Sequence, residues 1–515
     1  MKKNAFVVLL LHVIVTCAGA QTMVTPNPLA SLPSSEGSTV KSIKAMQSKT
    51  FLVLGSPEAD PKWGRAYGSA YSEKSLIYSP RLRGFFRAGE GDHANVKADG
   101  YGQDDYWFYD INANKWICLY PGTDTRNFNK LVLNGSISVD SLGRAVDTTG
   151  QPVPGHQLIH SWGLLTYDTD RDKFWFLSDN QFLRYYMPGL TLIEQGLQTL
   201  EAAGLNQSKG RNFCPWAYDA NTGRFERDLT SDNGAMPSVG DIPQFLYISS
   251  IQKMFACGNL GVAFFDPLQK KWSALSKDAT YPKDWTYDFG ACYDSKRNRV
   301  YMGQSADNLY YYSIENDKWT KVNNTNSIAV RFRSVYGAIE YDSKNDVVLV
   351  FSWGKDGLNH QVFPLDPKTN TWGEPINFKG ATVPYPMYGV GYDSELGVVF
   401  IFTAGDSRDN GVMGAFCYKN IHVNAEIRSE KSTDASISVV SSFTKSIAQF
   451  SIKGFSRDVG ILKIFDIDGK LLMAKNIDIS SYKVSIDVRK FASGYHLATI
   501  DDGVNQARVK FLVLR

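Results

Sequence analysis

The chain has 515 residues, a formal net charge of +3 and 21% charged residues. That balance excludes the strongly basic footprint of a nucleic-acid or anionic-lipid binder, and the length exceeds one ordinary core. Aromatics at 13% and 43 glycines fit an all-β chain with many turns.

Lys2 and Lys3, the apolar run Phe6 to Val15 and the small residues Ala18-Gly19-Ala20 read as a signal peptide over residues 1–20, with a mature start at Gln21. The run is too short for a membrane span of about 20 residues, and no later stretch is long and apolar enough, so no transmembrane segment is expected. Without Lys2 and Lys3 the formal charge falls from +3 to +1. The cysteines left after export, Cys118, Cys214, Cys257, Cys292 and Cys417, are scattered and odd in number, which implies no disulfide framework. Neither a CxxC nor a Cys/His cluster suggests zinc, and no cofactor is expected.

From residue 45 to 422 the chain repeats itself. A tyrosine, a short polar turn and an apolar run recur from Tyr78, Tyr167, Tyr247, Tyr293, Tyr341 and Tyr392. The residue seven positions later is always apolar: Phe85, Phe174, Met254, Val300, Val348 and Val399. This predicts a hairpin, used six times. A second signature follows most copies, ending at Trp116, Trp272, Trp319 and Trp372 with a weaker copy at Phe225, and predicts a second hairpin. Two hairpins per unit make a four-stranded sheet, and four to eight such sheets about an axis make a propeller. The sixth unit lacks its fourth strand, while Lys49 to Pro57 looks like a fourth strand without the first three, so the N-terminal strand is expected to complete the last unit and remove an exposed edge.

These units resemble kelch repeats. Tyr109 with Trp116 and Tyr312 with Trp319 keep the kelch spacing, while the paired glycine is reduced to single glycines such as Gly89, Gly258 and Gly303. The resemblance implies a six-bladed kelch-like β-propeller, of the galactose oxidase-like type. Seven blades is the alternative, if Asp124 to Phe213 holds another. Galactose oxidase-like enzymes hold copper with two Tyr and two His, and no such constellation is present here.

In an up-and-down blade the first and third turns share one face. Those turns are short here, and the long segments belong to the other face: Glu90 to Asp105, Asp124 to Pro154, Ser178 to Pro215, Trp353 to Asn359 and Gly405 to Gly411. Segments of that length are functional or disordered, so a ligand site is expected there. Its candidates are Asp92, His93, Trp107, His160, Trp162, Tyr185, Trp216, Trp353 and His360, with Tyr106, His156 and Tyr186 beside them. Aromatic rings would stack on sugars, and Asp and His would bond hydroxyls. Leu192 to Leu205 has helical spacing and is expected to pack on the propeller.

Residues 423–442 are polar and Ser-rich and read as a linker. From 443 to 515 short alternating strands predict a small immunoglobulin-like β-sandwich. Phe465-Asp466, Asp468-Gly469-Lys470, Ile486-Asp487, Ser493-Gly494-Tyr495 and Lys510-Phe511 resemble, in order and place, the C-terminal sorting domain of type IX secretion substrates. This implies export through the periplasm to the surface or medium of a Bacteroidetes-like Gram-negative cell, with the type IX machinery as a partner of residues 443–515. The function expected is a secreted or surface-attached propeller that binds a glycan or a protein. The alternative is a carbohydrate-active oxidase, lyase or epimerase on the same scaffold. Nucleophile elbow, P-loop and HExxH motifs are absent from the sequence.

Overall fold

The computed structural model describes residues 26–66, 76–88, 97, 99–154, 163–179, 190–205, 213–227, 237, 239, 244–258, 260–276, 282, 290–324, 328, 337–352, 361–377, 387–403, 411–422, 436–440, 443–444, 446–453, 455, 458–467, 470–480, 483–502 and 506–514. The signal peptide, residues 89–96 and most of the expected linker lie outside them; the linker's residues 436–440 are described and include the strand Ser436–Val439, so the C-terminal sheets begin before residue 443. The protein is all-β, with three helices of 13 residues or fewer among the described residues. It divides into two compact units, Met1–Gly37 with Val53–Tyr392 and Val399–Gly414, and Ser38–Leu52 with Asp393–Val398 and Ala415–Arg515.

Six antiparallel sheets follow the repeats. Each of the first five takes its strands in chain order from one unit of sequence. Sheet one is Ile77–Ser79, Gly84–Ala88, Tyr106–Asp110 and Lys115–Tyr120. Sheet two is Leu165–Asp168, Lys173–Asp179, Phe213–Asp219 and Arg224–Arg227. Sheets three, four and five begin at Gln244–Ile248, Gly290–Asp294 and Gly337–Asp342, and the fifth carries an extra strand, Ile376–Asn377. Sheet six is Met387–Asp393, Val398–Thr403 and Val412–Cys417, completed beside the last by Thr50–Gly55 from the N-terminal side.

The sevenfold spacing is the cross-strand register. Tyr78 pairs with Phe85, Tyr167 with Phe174, Tyr247 with Met254, Tyr293 with Val300 and Tyr341 with Val348. The second hairpins repeat it, in Tyr109 with Trp116, Tyr218 with Phe225, Phe265 with Trp272, Tyr312 with Trp319 and Leu365 with Trp372. Four residues thus span each turn, and the last of them is left-handed: φ is 57° at Arg83, 53° at Asp172, Gln252 and Asn298, and 56° at Asp346. The Asp after the tyrosine accepts backbone N–H groups of the turn, as Asp294 does from Lys296 (3.0 Å) and Arg297 (3.2 Å). The tyrosine hydroxyl then donates to the left-handed residue. Tyr109 reaches Asn114 at 2.8 Å, Tyr293 Asn298 at 2.9 Å and Tyr341 Asp346 at 2.8 Å. Asn and Asp tolerate the left-handed region and supply that acceptor. Asn298→Val removes both advantages, and a loss of about 1–3 kcal/mol is expected in urea unfolding, with Asn298→Gly milder.

Neighbouring first turns are also tied to one another. Arg297 reaches across to Asp346 with two bonds of 2.8 Å while holding Asp294 at 3.0 Å. These bonds hold the Asp346 carboxyl well below the ordinary carboxylate value. A carboxyl depressed on folding contributes stability above its unfolded pKa of 3.8 that is lost as pH falls below it. Arg297→Gln should therefore flatten the fall in stability between pH 5 and 3, read from urea midpoints at the two pH values.

Aromatic faces join the sheets. Phe86 of sheet one stacks on Phe174 of sheet two with centroids 5.0 Å apart, and Tyr106 meets Phe176 at 4.8 Å. Trp175 of sheet two meets Phe265 of sheet three at 5.7 Å, and Phe255 of sheet three meets Tyr312 of sheet four at 5.5 Å. Tyr301 of sheet four donates to Asn370 of sheet five at 2.8 Å, and Tyr392 of sheet six to Asp342 of sheet five at 2.7 Å. Phe85 of sheet one lies 5.0 Å from Phe400 of sheet six, and Trp116 lies 5.3 Å from Phe402. Sheets of this composition bury both faces, and each supplies the cover for the next.

The stretch from Asp124 to Pro154, expected as a functional or disordered segment or as part of another blade, is folded. Helix Phe128–Leu133 and the hairpin Ile137–Val139/Ala145–Asp147 share a small core with helix Leu190–Ala202. Phe128, Val132, Ala145, Leu197 and Leu200 form it, so the predicted helix packs on this inserted module rather than on the sheets. Gly196 lets the helices approach: its N–H donates to Asn129 Oδ1 at 2.7 Å, where a Cβ would stand 2.8 Å from that oxygen.

The C-terminal segment forms a three-stranded sheet, in the order Ser436–Val439, Ile447–Lys453, Lys483–Asp487, and a five-stranded one, in the order Phe443–Thr444, Gln506–Val513, Gly494–Asp501, Val459–Phe465, Leu471–Asp478. Phe450, Ile452 and Ile486 from the first sheet and Leu462, Ile464, Ile500 and Phe511 from the second make one core.

Candidate functional site

The strand ends opposite the short turns carry the richest buried polar chemistry among the described residues. In sheet one the chain before Tyr106 and the chain after Tyr120 continue side by side. Gly102 N–H donates to the Thr123 carbonyl at 2.8 Å, and Thr125 N–H to that of Gly100 at 3.2 Å. The approach requires Gly122, whose φ is +97° and whose Cβ would meet the Gly102 carbonyl at 2.3 Å. Asp104 fastens this extension, accepting the backbone N–H of Thr123 at 2.7 Å and its hydroxyl at 2.6 Å.

Asp105 sits next to it and is fully buried. Its Oδ2 accepts the Trp107 indole N–H at 2.8 Å and faces Lys97 Nζ at 3.4 Å. Lys97, with a side chain only 12% exposed, also donates to the Pro121 carbonyl at 2.9 Å. Burial alone would lower the pKa of Lys97; the carboxylates of Asp105, Asp99 and Asp104 outweigh it and raise it above its ordinary value. Arg87, paired across the sheet with Trp107, is fully buried, donates to the Ala88 carbonyl at 3.3 Å and lies 5.2 Å over the Phe402 ring. Burial pushes the thiol of Cys118, on the next strand, well above its ordinary range, so it behaves as a small apolar group.

Three buried polar atoms here have no hydrogen-bond partner: Gln103 Oε1, Asp105 Oδ1 and the Tyr106 hydroxyl. In sheet three, at the corresponding end of the first strand, Gln244 is buried with both amide atoms unpaired. A buried polar group without a partner costs about 1–3 kcal/mol; these four side chains share one set of strand ends, while other unpaired buried atoms, such as the indole nitrogens of Trp175 and Trp272, lie elsewhere in the sheets.

Of the residues singled out by sequence, Tyr106 belongs to this group. Trp107 and Trp216 are buried at 1% and 2% exposure, so neither ring offers a face to a sugar. Trp107 packs edge-on against Trp116, and Trp216 stacks on Phe176 in the core shared by sheets one and two, so the structure does not bring the pair together. Asp92, His93, His156, His160, Trp162, Tyr185, Tyr186, Trp353 and His360 lie outside the described residues. Sequence reasoning passed over Arg87, Lys97, Gln103, Asp105 and Gln244. The signal available for them was an arginine inside the apolar run Gly84–Ala88 and an acidic pair directly before an apolar strand.

Among the described residues no set of three His, Cys, Asp or Glu side chains is placed to hold a metal ion, and no helix is long and apolar enough to cross a membrane. No curated protein shows detectable similarity to the chain. Among solved structures it is similar to a structural genomics protein of unknown function from Bacteroides thetaiotaomicron, at 10% identity over 71% of this chain and 76% of that one, with a TM-score of 0.39. It is also similar to a luciferin-regenerating enzyme, at 8% identity over 71% of this chain and 94% of that one, with a TM-score of 0.36. Similarity at that level says nothing about function. The family model for the secretion system C-terminal sorting domain matches residues 444–514. That segment supports export by type IX secretion, to the medium or the cell surface, as in Bacteroidetes. Residues 444–514 therefore belong to the family of secretion-system C-terminal sorting domains.

Proposed function

We propose that the exported chain is a binding protein whose six sheets are the blades of a kelch-like propeller. On this reading it takes a glycan or protein ligand at the strand ends that carry Gln103, Asp105, Tyr106 and Gln244. The propeller reading is supported by the succession of interfaces, each sheet against the next and the sixth against the first. The C-terminal pair of sheets around one core fits an immunoglobulin-like sandwich that starts at the strand Ser436–Val439, inside the segment 423–442 expected as a linker after the propeller (45–422).

The observation that carries the binding reading is the group of buried polar atoms left unpaired at those ends, which a ligand's hydroxyl or amide groups would satisfy. Lys97 is held by Asp105 and the Pro121 carbonyl, and Asp92 and His93 precede it by a few residues in the sequence. With Trp353, His360, His160, Trp162 and Tyr185 they are the proposed contacts of the same face.

The test is a glycan array probed with the full mature chain and with Gln103→Leu, followed by mass spectrometry of any bound glycan. Binding by the wild type that falls about tenfold in the variant, the effect of one lost hydrogen bond to a buried site, with the glycan recovered unchanged, is the expected result. Equal binding by both proteins contradicts the location. Recovery of an oxidised, cleaved or epimerised glycan replaces binding by catalysis.

A further inference from the structure

At the opposite strand ends, sheet four carries a pocket that none of the foregoing uses. It measures 290 Å³ and is lined by Arg299, Tyr311, Ser313, Asn316, Lys318 and Thr320. Register explains the convergence. Arg299 pairs with Ser313, Ser313 with Lys318 and Tyr311 with Thr320, so these side chains stand together on one face of three adjacent strands.

The chemistry of the lining is one-sided. It holds two cations and no carboxylate, and among the described residues no ion pair joins Arg299 or Lys318 to an acidic side chain. Arg299 lies 4.3 Å over the Tyr311 ring. The guanidinium also donates a hydrogen bond to the Tyr301 hydroxyl, and the remainder of its five N–H donors are left for an acceptor. Ser313 Oγ already accepts from the Asn316 backbone N–H at 3.3 Å and its side-chain amide at 3.0 Å. The Ser313 hydroxyl proton is thereby directed outward as a donor, with the Thr320 hydroxyl beside it.

We infer that this pocket binds an acidic sugar residue, its anionic group on Arg299 and Lys318 and its hydroxyls on Ser313, Asn316 and Thr320. A planar guanidinium matches both carboxylate and sulfate oxygens in two-bond geometry. The volume lies near the lower end of small-ligand sites, the size for one residue of a chain rather than a whole oligosaccharide. The shallow, open setting at a sheet's outer strands lets a polymer run through it. The inference does not depend on the site at the other strand ends.

The test is affinity electrophoresis of the full mature chain through gels containing polygalacturonate, dextran sulfate, neutral dextran or polyglutamate. The same gels carry Arg299→Gln, Lys318→Gln and Lys271→Gln, and thermal unfolding confirms that each variant is folded. Retardation by polygalacturonate assigns the carboxylate, retardation by dextran sulfate assigns the sulfate, and either supports the inference. In either case Arg299→Gln should weaken binding about tenfold, the loss of one charge-assisted pair, and Lys318→Gln less, while Lys271→Gln, which removes an exposed lysine at the matching position of sheet three, binds as the wild type does. Retardation that Arg299→Gln leaves unchanged, equal retardation by polyglutamate, or no retardation by either acidic polysaccharide overturns it. Since Lys318 is exposed, its variant stays informative if Arg299→Gln fails to fold.

Discussion

Deleting residues 443–515 is expected to remove nearly all of the protein from the medium and the cell surface and to leave it in the periplasm. The deleted part holds every strand but Ser436–Val439 of two sheets and all but Ile437 of the buried residues in their core, and it contains the whole segment matched as a sorting domain. The sequence repeats end before it. Cell fractionation with an antibody against the remaining chain reads the result. Unchanged appearance outside the cell would show that the C-terminal segment does not direct export. Fusing residues 423–515 to a periplasmic reporter gives the complementary gain, with the reporter expected outside the outer membrane.

The second large effect is expected from Asp105→Ala. The substitution leaves Lys97 buried beside the Pro121 carbonyl without its nearest carboxylate and strips the Trp107 indole of its acceptor. Breaking one side of a buried ion pair costs about 3–5 kcal/mol, because the remaining charge stays out of water. Urea unfolding should show the loss as a lower midpoint with an unchanged slope. Lys97→Met in the same background removes the stranded charge and should restore more than half of it. If the single substitution costs less than about 1 kcal/mol, the level of an exposed pair, the ion pair is not the anchor described. The alkaline limb has a fixed sign. A lysine whose pKa is raised on folding contributes stability below its unfolded value of 10.5, and that contribution is lost as pH rises through the folded value. Lys97→Met should therefore be less sensitive than the wild type above pH 10.5.

Much of the architecture was written in local spacing. Tyr to apolar residue at seven positions is a cross-strand pair, so reading the interval gave the register. The Asn or Asp at the fifth position, as in Asn114, Asn298 and Asp346, announces the left-handed turn residue. The completion of sheet six by Thr50–Gly55 was also legible, because a fourth strand without partners at one end answered a missing one at the other. What escaped was long-range. Phe128 and Val132 look like isolated apolar residues in a polar stretch until Leu197 and Leu200, far along the chain, cover them. Arg87, Lys97 and Asp105 were passed over for a physical reason: charged residues are seldom buried, and only the fold shows that burial and pairing go together there. The tryptophans misled in the opposite sense. Trp107 and Trp216 have the size and polar edge of a sugar platform, yet a sheet with both faces covered consumes such rings in packing.

The account rests on the sixth sheet lying against the first, and a double-mutant cycle on Phe85 and Phe400 measures that contact directly. The two rings are 5.0 Å apart and come from opposite ends of the repeat region. Equilibrium unfolding of Phe85→Leu, Phe400→Leu and the double variant is expected to give a coupling of about 0.5–1.5 kcal/mol, the range for an aromatic pair in contact. Additive losses, with no coupling beyond about 0.3–0.5 kcal/mol, would mean that the two rings do not meet and that the sheets are not arranged in the succession described here.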